Sequence, residues 1–301
     1  MIPQFPQFKS LELTDKQDVE SFTSKFPPYS DFNFVSMWCW DIKGEMGLSV
    51  LNDNLVVRFT DYITSEPFYS FLGNNKVNET VEKLLSFTLE EEVSPKLCLI
   101  PDYMVDRVAR DKFTIQEDLD NFDYIFDLNQ IAKYAGSQFQ NKRNRVGKFI
   151  KLFPNIKLEV INIKDEHIKQ KILKLDEFWL NNKTQKDLNF KIKNEFLATN
   201  RFFQANFDDS FSVGIFLDDK MIGYSILSIL PDNYAISHFT KADTQYPGIY
   251  DFLMRESAKI LIEEQCYFVN YEQDLGLPGL RMSKKSFMSK YLRKFTVGFT
   301  N

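Results

Sequence analysis

Two tight hairpins, each preceded by a strand and an acid-capped helix, limit how this chain can fold. The first pairs residues 47–50 with 55–59 around Asn52-Asp53-Asn54, and the second pairs 211–217 with 221–230 around Asp218-Asp219-Lys220. Asn and Asp tolerate the left-handed backbone of a close reversal, so apolar runs on either side of them read as paired strands. Upstream of the first hairpin, Leu11-Glu12-Leu13 leads into a helix over 16–26 that Thr14 or Asp15 caps. Upstream of the second, a strand over 156–163, with Leu158-Glu159-Val160 inside it, leads through Asp165-Glu166 into a helix reaching Trp179. A chain of 301 residues has room for two such units. The pattern implies an α/β (α+β) fold with two mixed, mostly antiparallel sheets flanked by helices. Residues 1–128 form one unit and 155–301 the other, with 129–154 as a bridging basic helix.

The remaining elements fill in this frame. A buried helix covers 32–40, strands cover 68–72, 96–100 and 122–128, and a short helix covers 103–111. An amphipathic helix over 78–92 gathers Val81, Leu84, Leu85 and Leu89 on one side. In the second half, helices are expected over 194–205 and 247–264, with strands over 234–240, 266–270 and 291–299. The bridging helix starts at Asn129 and stops at Pro154. At about 100° per residue, Phe139, Val146, Phe149, Ile150 and Phe153 share one stripe. Arg145, Lys148 and Lys151 point away from it. Lys142 and Arg143 fall beside it, where a cation needs a partner or a ligand because burying it alone is expensive. Arg143 is therefore the better candidate for binding an anion.

Composition excludes several classes. With 44% hydrophobic and 26% charged residues the chain is globular rather than disordered. Its longest near-apolar run, 222–230, is too short to span a bilayer, and the N-terminus lacks the pattern of a signal peptide. Three scattered cysteines point to a reduced, cytoplasmic setting, and two histidines leave no basis for a His-ligated metal site. The net charge is −5, but residues 136–154 carry five cations and no acid, and the tail after Asp274 carries six and no acid. An acidic body with two basic runs suits an anionic ligand such as phosphate, coenzyme A, a lipid headgroup or RNA, or else the runs are solvated faces.

One stretch concentrates chemistry. Asn270-Tyr271-Glu272-Gln273-Asp274-Leu275-Gly276-Leu277-Pro278-Gly279-Leu280-Arg281 leaves a strand with two carboxylates, breaks at a Gly-Pro-Gly turn and runs on into Lys284-Lys285. Together with Lys142-Arg143-Asn144 and His238-Phe239-Thr240-Lys241-Ala242-Asp243, which runs through Tyr246-Pro247-Gly248, it resembles a known family. That family is the bacterial one sharing the C-terminal domain of phosphatidylglycerol lysyltransferase. The order of elements is similar to the GNAT N-acyltransferase fold in the tandem arrangement of Fem-type aminoacyltransferases. The likeness in residues runs from about 120 to the end, and the first unit matches in pattern.

The resemblance implies transfer of an acyl or aminoacyl group to an amine or hydroxyl, with aminoacyl-tRNA or acyl-CoA as donor and no tightly bound cofactor. It places donor phosphates at Gln245-Tyr246-Pro247-Gly248, where a helix N-terminus offers free N–H groups. Coenzyme-A users usually have a richer glycine loop there, and the proline removes one N–H, so tRNA is the better fit. From the residues themselves, Glu272 and Asp274 share one face of a straight strand, where pairing raises one pKa and makes a base. Alternatively one caps the turn and the other pairs with Arg281. Tyr271 or Tyr250 could supply the acid. His238 is either catalytic or a satisfied strand residue. Arg281, Lys284 and Lys285 clamp phosphates or line a solvated edge, and Lys241 with Asp243 reads as an ion pair at a strand end. The expectation is an aminoacyltransferase; the alternatives are an acyl-CoA-dependent N-acetyltransferase and a non-catalytic module binding RNA or anionic lipid. The acceptor and the oligomeric state leave no mark in the sequence.

Overall fold

The computed structural model describes residues 1–61, 64–184, 192–208, 210–287 and 289–300. Two compact units emerge. The first comprises Met1–Tyr124, Gln273–Met282 and Tyr291–Asn301; the second comprises Ile125–Glu272 and Ser283–Lys290. The chain thus returns twice to the first unit after building most of the second, so the units are not the contiguous stretches 1–128, 129–154 and 155–301.

In chain order the first unit contains β1 (Lys9–Ser10), α1 (Lys16–Thr23), α2 (Phe34–Trp40), β2 (Gly47–Leu51) and β3 (Asn54–Thr60). It continues with β4 (Pro67–Leu72), α3 (Val77–Glu90), β5 (Lys96–Pro101), α4 (Asp102–Val105) and β6 (Phe113–Glu117). Then come β7 (Asp123–Asp127), α5 (Leu128–Lys133), α6 (Gln140–Leu152), β8 (Ile156–Val160), α7 (Glu166–Thr184) and α8 (Ile192–Ala205). They are followed by β9 (Ser210–Leu217), β10 (Lys220–Leu230), β11 (Tyr234–Ala242), α9 (Ile249–Glu263) and β12 (Phe268–Asn270). The chain closes with α10 (Pro278–Lys285), β13 (Lys290–Leu292) and β14 (Lys294–Phe299).

The first sheet has the order β1-β2-β3-β4-β5-β14-β6. Both expected hairpin turns form, and Asn52, Asp53 and Asp218 adopt the positive φ that recommended them. α3 supplies Val81, Leu84 and Leu85 to a core with Phe71, Leu97, Ile100 and Val297, all with at most 0% of their surface exposed. The tail differs from its expected single strand. The run breaks after Leu292, and β14 inserts antiparallel between β5 and β6. An alternating pattern identifies a strand but not the sheet that receives it, which is why the sequence assigned this one to the second unit. β6, too polar in sequence to be noticed, forms because β14 gives it a ladder partner.

The second sheet has the order β13-β7-β12-β11-β10-β9-β8. α9 packs on α5, α6, β10 and β11, and α7 packs on α8, β10 and β11. The bridging helix is two helices. Tyr134 (φ 44°) and Gly136 (φ 91°) turn left-handed between α5 and α6, so the run 129–154 is interrupted. α10 is a further departure: Pro278 and Gly279, read as a turn, open a helix, consistent with proline's tolerance at a first helical position. No helix among the described residues is long and apolar enough to cross a membrane.

Candidate functional site

In the second unit, β11 pairs antiparallel with β10 from Tyr234 to Ala242, but pairs parallel with β12 only over Tyr234, Ala235 and Ile236. β12 ends at Asn270, opposite Ile236, and β11 continues alone on that side. From Ser237 to Ala242 the ladder with β12 is therefore absent, and backbone groups on that edge are released from strand pairing. The Ala242 amide donates to the Tyr250 hydroxyl at 3.2 Å. A register shift between Ile226 and Leu227 bends β10 where it faces this stretch.

Local chemistry ends β12. The Asn270 side-chain oxygen accepts the Glu272 N–H at 2.8 Å, and Glu272 takes φ 56°. A strand's two-residue alternation stops with the strand. The expected common face for Glu272 and Asp274 does not form, and the pair divides between the two units. Glu272 is half-buried. Tyr271 stacks on Phe126 at 5.2 Å and hydrogen-bonds Thr240, whose hydroxyl also meets those of Ser225 (2.8 Å) and Ser237 (3.1 Å). Burial raises the Tyr271 hydroxyl above the ordinary phenol range, so it keeps its proton at neutral pH.

His238 is buried, with its ring Nε2 2.9 Å from the Ser228 hydroxyl, which matches the satisfied-strand alternative. Lys241 does not pair with Asp243. It reaches Glu195 instead and lies 3.7 Å above the Trp179 ring, while Asp243 is 3.7 Å from Lys220. Lys284 is buried and donates to the Tyr271 carbonyl at 2.5 Å. Lys285 is exposed.

The basic helix also sorts differently from its helical wheel. Lys142 is buried, 3.0 Å from Asp251 and 3.4 Å above the Phe287 ring; burial lowers its pKa and Asp251 opposes that shift. Arg145, expected to be solvated, instead reaches the second Asp251 oxygen at 2.5 Å. Arg143 is exposed, and one guanidinium nitrogen donates to the carbonyls of Tyr134 and Gly136. Asp251 escaped the sequence reading, and its one signal was its place as a lone acid in the turn after Pro247-Gly248.

That turn forms the N-terminus of α9. Gly248 takes φ 96°, and a side chain there would meet the Arg145 carbonyl oxygen at 3.0 Å and Phe149 at 3.4 Å. The Gln245 amide donates to Asp243 at 3.0 Å, and Gln245 is exposed. The helix end expected to receive donor phosphates carries the Asp251 carboxylate in its first turn, paired with Lys142 and Arg145.

In the first unit, Asp274 is fully buried and its oxygens are all engaged. Arg281 reaches both, at 2.7 and 2.8 Å; Tyr124 donates at 2.5 Å and the Gly276 amide at 2.9 Å. Burial would raise this carboxyl, but the Arg281 and Tyr124 hydrogen bonds outweigh it and hold it below the usual range. Arg281 adds Asp120 at 2.5 Å. This realises the alternative in which one acid pairs with Arg281, and it occupies the guanidinium expected to clamp phosphate. Among the described residues no group of three or more His, Cys, Asp or Glu stands ready to hold a metal ion.

The family described as phosphatidylglycerol lysyltransferase, C-terminal, matches residues 24–298, a wider span than the three stretches that carried the resemblance. No curated protein matches. A conserved protein of unknown function from Bacteroides thetaiotaomicron VPI-5482 is 25% identical, with a TM-score of 0.83 over 100% of both chains. A C-terminal domain ascribed to a lysylphosphatidylglycerol synthetase of Agrobacterium fabrum is 11% identical, with a TM-score of 0.66 over 96% of this chain and 92% of that one. FemX is 8% identical, with a TM-score of 0.56 over 98% of both chains. These last two are likenesses of fold alone, and they bear out the expected architecture of two mixed sheets flanked by helices, as in Fem-type proteins.

Proposed function

This chain belongs to the phosphatidylglycerol lysyltransferase C-terminal family, and on that footing we propose that it transfers an aminoacyl group from aminoacyl-tRNA to an amine or hydroxyl acceptor. The observation that carries the reading is the parting of β11 from β12 after Ile236. A donor ester laid along 237–242 meets a strand edge that β12 does not pair, the kind of edge where backbone donors stabilise a developing oxyanion. As the acceptor attacks the ester carbon, its proton passes to Glu272, the new C–N or C–O bond forms and the bond to the tRNA ribose breaks. Tyr271, which keeps its proton, donates to the leaving oxygen. Glu272 is preferred to Asp274 as base because every Asp274 oxygen already accepts hydrogen bonds.

The composition of the α9 N-terminus favours tRNA over coenzyme A. Pro247 removes one N–H there, and the helix carries Asp251 in its first turn. The test is a thermal-shift screen with coenzyme A, acetyl-CoA, charged tRNA and uncharged tRNA. A larger shift with charged than uncharged tRNA supports the reading, since a ligand bound only to the native state raises its stability. A salt-resistant shift with acetyl-CoA alone overturns it.

A further inference from the structure

We infer that the outward face of α6 is the surface on which the second unit docks the phosphate backbone of RNA; this deepens the tRNA reading and rests on it. The tail's cations are mostly spent within the chain. Arg281 is held by Asp274 and Asp120, Lys284 by a carbonyl, and Lys294 by Asp31 and Asp123; Arg293 lies 3.5 Å from Asp102 and from Glu117. On α6, Lys142 and Arg145 pair with Asp251, and the other cations lie outward. Lys148 and Lys151 are exposed and, among the described residues, make no ion pair, and no acid occurs between Leu128 and Pro154. Arg143 is braced: one guanidinium nitrogen is fixed on the carbonyls of Tyr134 and Gly136, which presents the rest of the fork to solvent.

The geometry favours RNA over a bilayer. Lys142, Val146 and Phe149 define the buried side of α6. At about 100° per residue, the opposite centre holds Gln140, Asn144, Gly147, Lys148 and Lys151, while the exposed Ile150 and Leu152 fall on the two flanks. A helix seated in a membrane needs its apolar residues gathered on the outward face. Here that face offers cations, amides and a glycine. Gly147 has open space where a side chain would stand, so no neighbour inside the chain requires glycine there. Its absence of bulk lets a phosphodiester approach the helix backbone.

The probe is uncharged bulk bacterial tRNA, so binding is read without transfer. Lys148→Gln with Lys151→Gln removes two unpaired charges, and the dissociation constant is expected to rise about tenfold at low salt. The log–log salt slope should fall by about 0.7–0.9 per lost phosphate contact. Gly147→Leu keeps every charge and is expected to weaken tRNA binding severalfold while leaving vesicle binding no weaker. Wild-type affinity and slope in the double variant overturn the proposal. So does tighter binding to phosphatidylglycerol vesicles than to tRNA, with Gly147→Leu strengthening it. Salt-sensitive tRNA binding through α6 in a protein that transfers nothing keeps this surface and removes the aminoacyl reading. Transfer that is unaffected by both variants does the reverse.

Discussion

A lysine ammonium with no exposed surface persists only where anions compensate it, and Lys294 has two. Its Nζ lies against Asp31 and 2.8 Å from Asp123; Asp123 also takes the Ser30 amide and hydroxyl, and Asp31 takes Gln273 at 2.6 Å. Replacing Lys294 with Met leaves both carboxylates buried without a counter-charge, and chemical denaturation should show a loss of about 3–5 kcal/mol. Burial pushes the Asp31 carboxyl up to about 6, with Asp123 adding to the shift and Lys294 opposing it. Between the ordinary value of 3.8 and about 6, the folded state therefore binds more protons at Asp31 than the unfolded state does. Its contribution is present below that window and is lost as pH rises through about 6. Asp31→Asn should remove this dependence, so the stability difference between parent and variant changes as pH rises from about 4 to about 6 and is level above that. Asp274 runs the other way: held low, it contributes stability above its unfolded pKa that is lost as pH falls. None of the first-unit cluster was visible in sequence, because Asp31, Asp123 and Lys294 are far apart in the chain. Arg281 with Asp274 was visible as an alternative, since seven residues and a turn separate them.

At the scale of elements, periodicity found what local chemistry dictates and missed what distant partners decide. The hairpins, α3, α9 and the run β9-β10-β11 were legible from alternation, caps and turn residues. The break between α5 and α6 was not, because Tyr134 has no sequence signal for its left-handed backbone even though Gly136 follows two residues later. α10 was hidden by a Gly-Pro-Gly string that reads as a turn. The splay of β11 from β12 is a matter of where one ladder ends, and only the Asx-type turn at Asn270 hinted at it. The joint of α9 with α6 yields a prediction. Gly248→Ala places a methyl on a residue at φ 96° and 3.0 Å from a carbonyl oxygen, which should destabilise the protein by about 1–3 kcal/mol in urea unfolding.

At the scale of the molecule, the tandem architecture was legible from repeated patterning, and its connectivity was not. β14 sits inside the first sheet, flanked by β5 and β6. Deleting residues 291–301 should strip those two strands of their shared partner and abolish cooperative unfolding of the first unit, as read by calorimetry. On the proposed reading the anionic ligand meets α6, where Arg143, Lys148 and Lys151 are exposed, whereas Arg281, Lys284, Arg293 and Lys294 of the tail are engaged within the chain. The central claim is that an open strand edge and Glu272 together run acyl transfer from aminoacyl-tRNA. Its most direct test is single-turnover release of the amino acid from purified charged tRNA, in the presence of an amine acceptor, by the parent and by Glu272→Gln. The parent should accelerate release, and the variant, still folded, should be slower by about 10²-fold or more. Equal rates in the two proteins, or a parent that ignores charged tRNA and consumes acetyl-CoA, would contradict it.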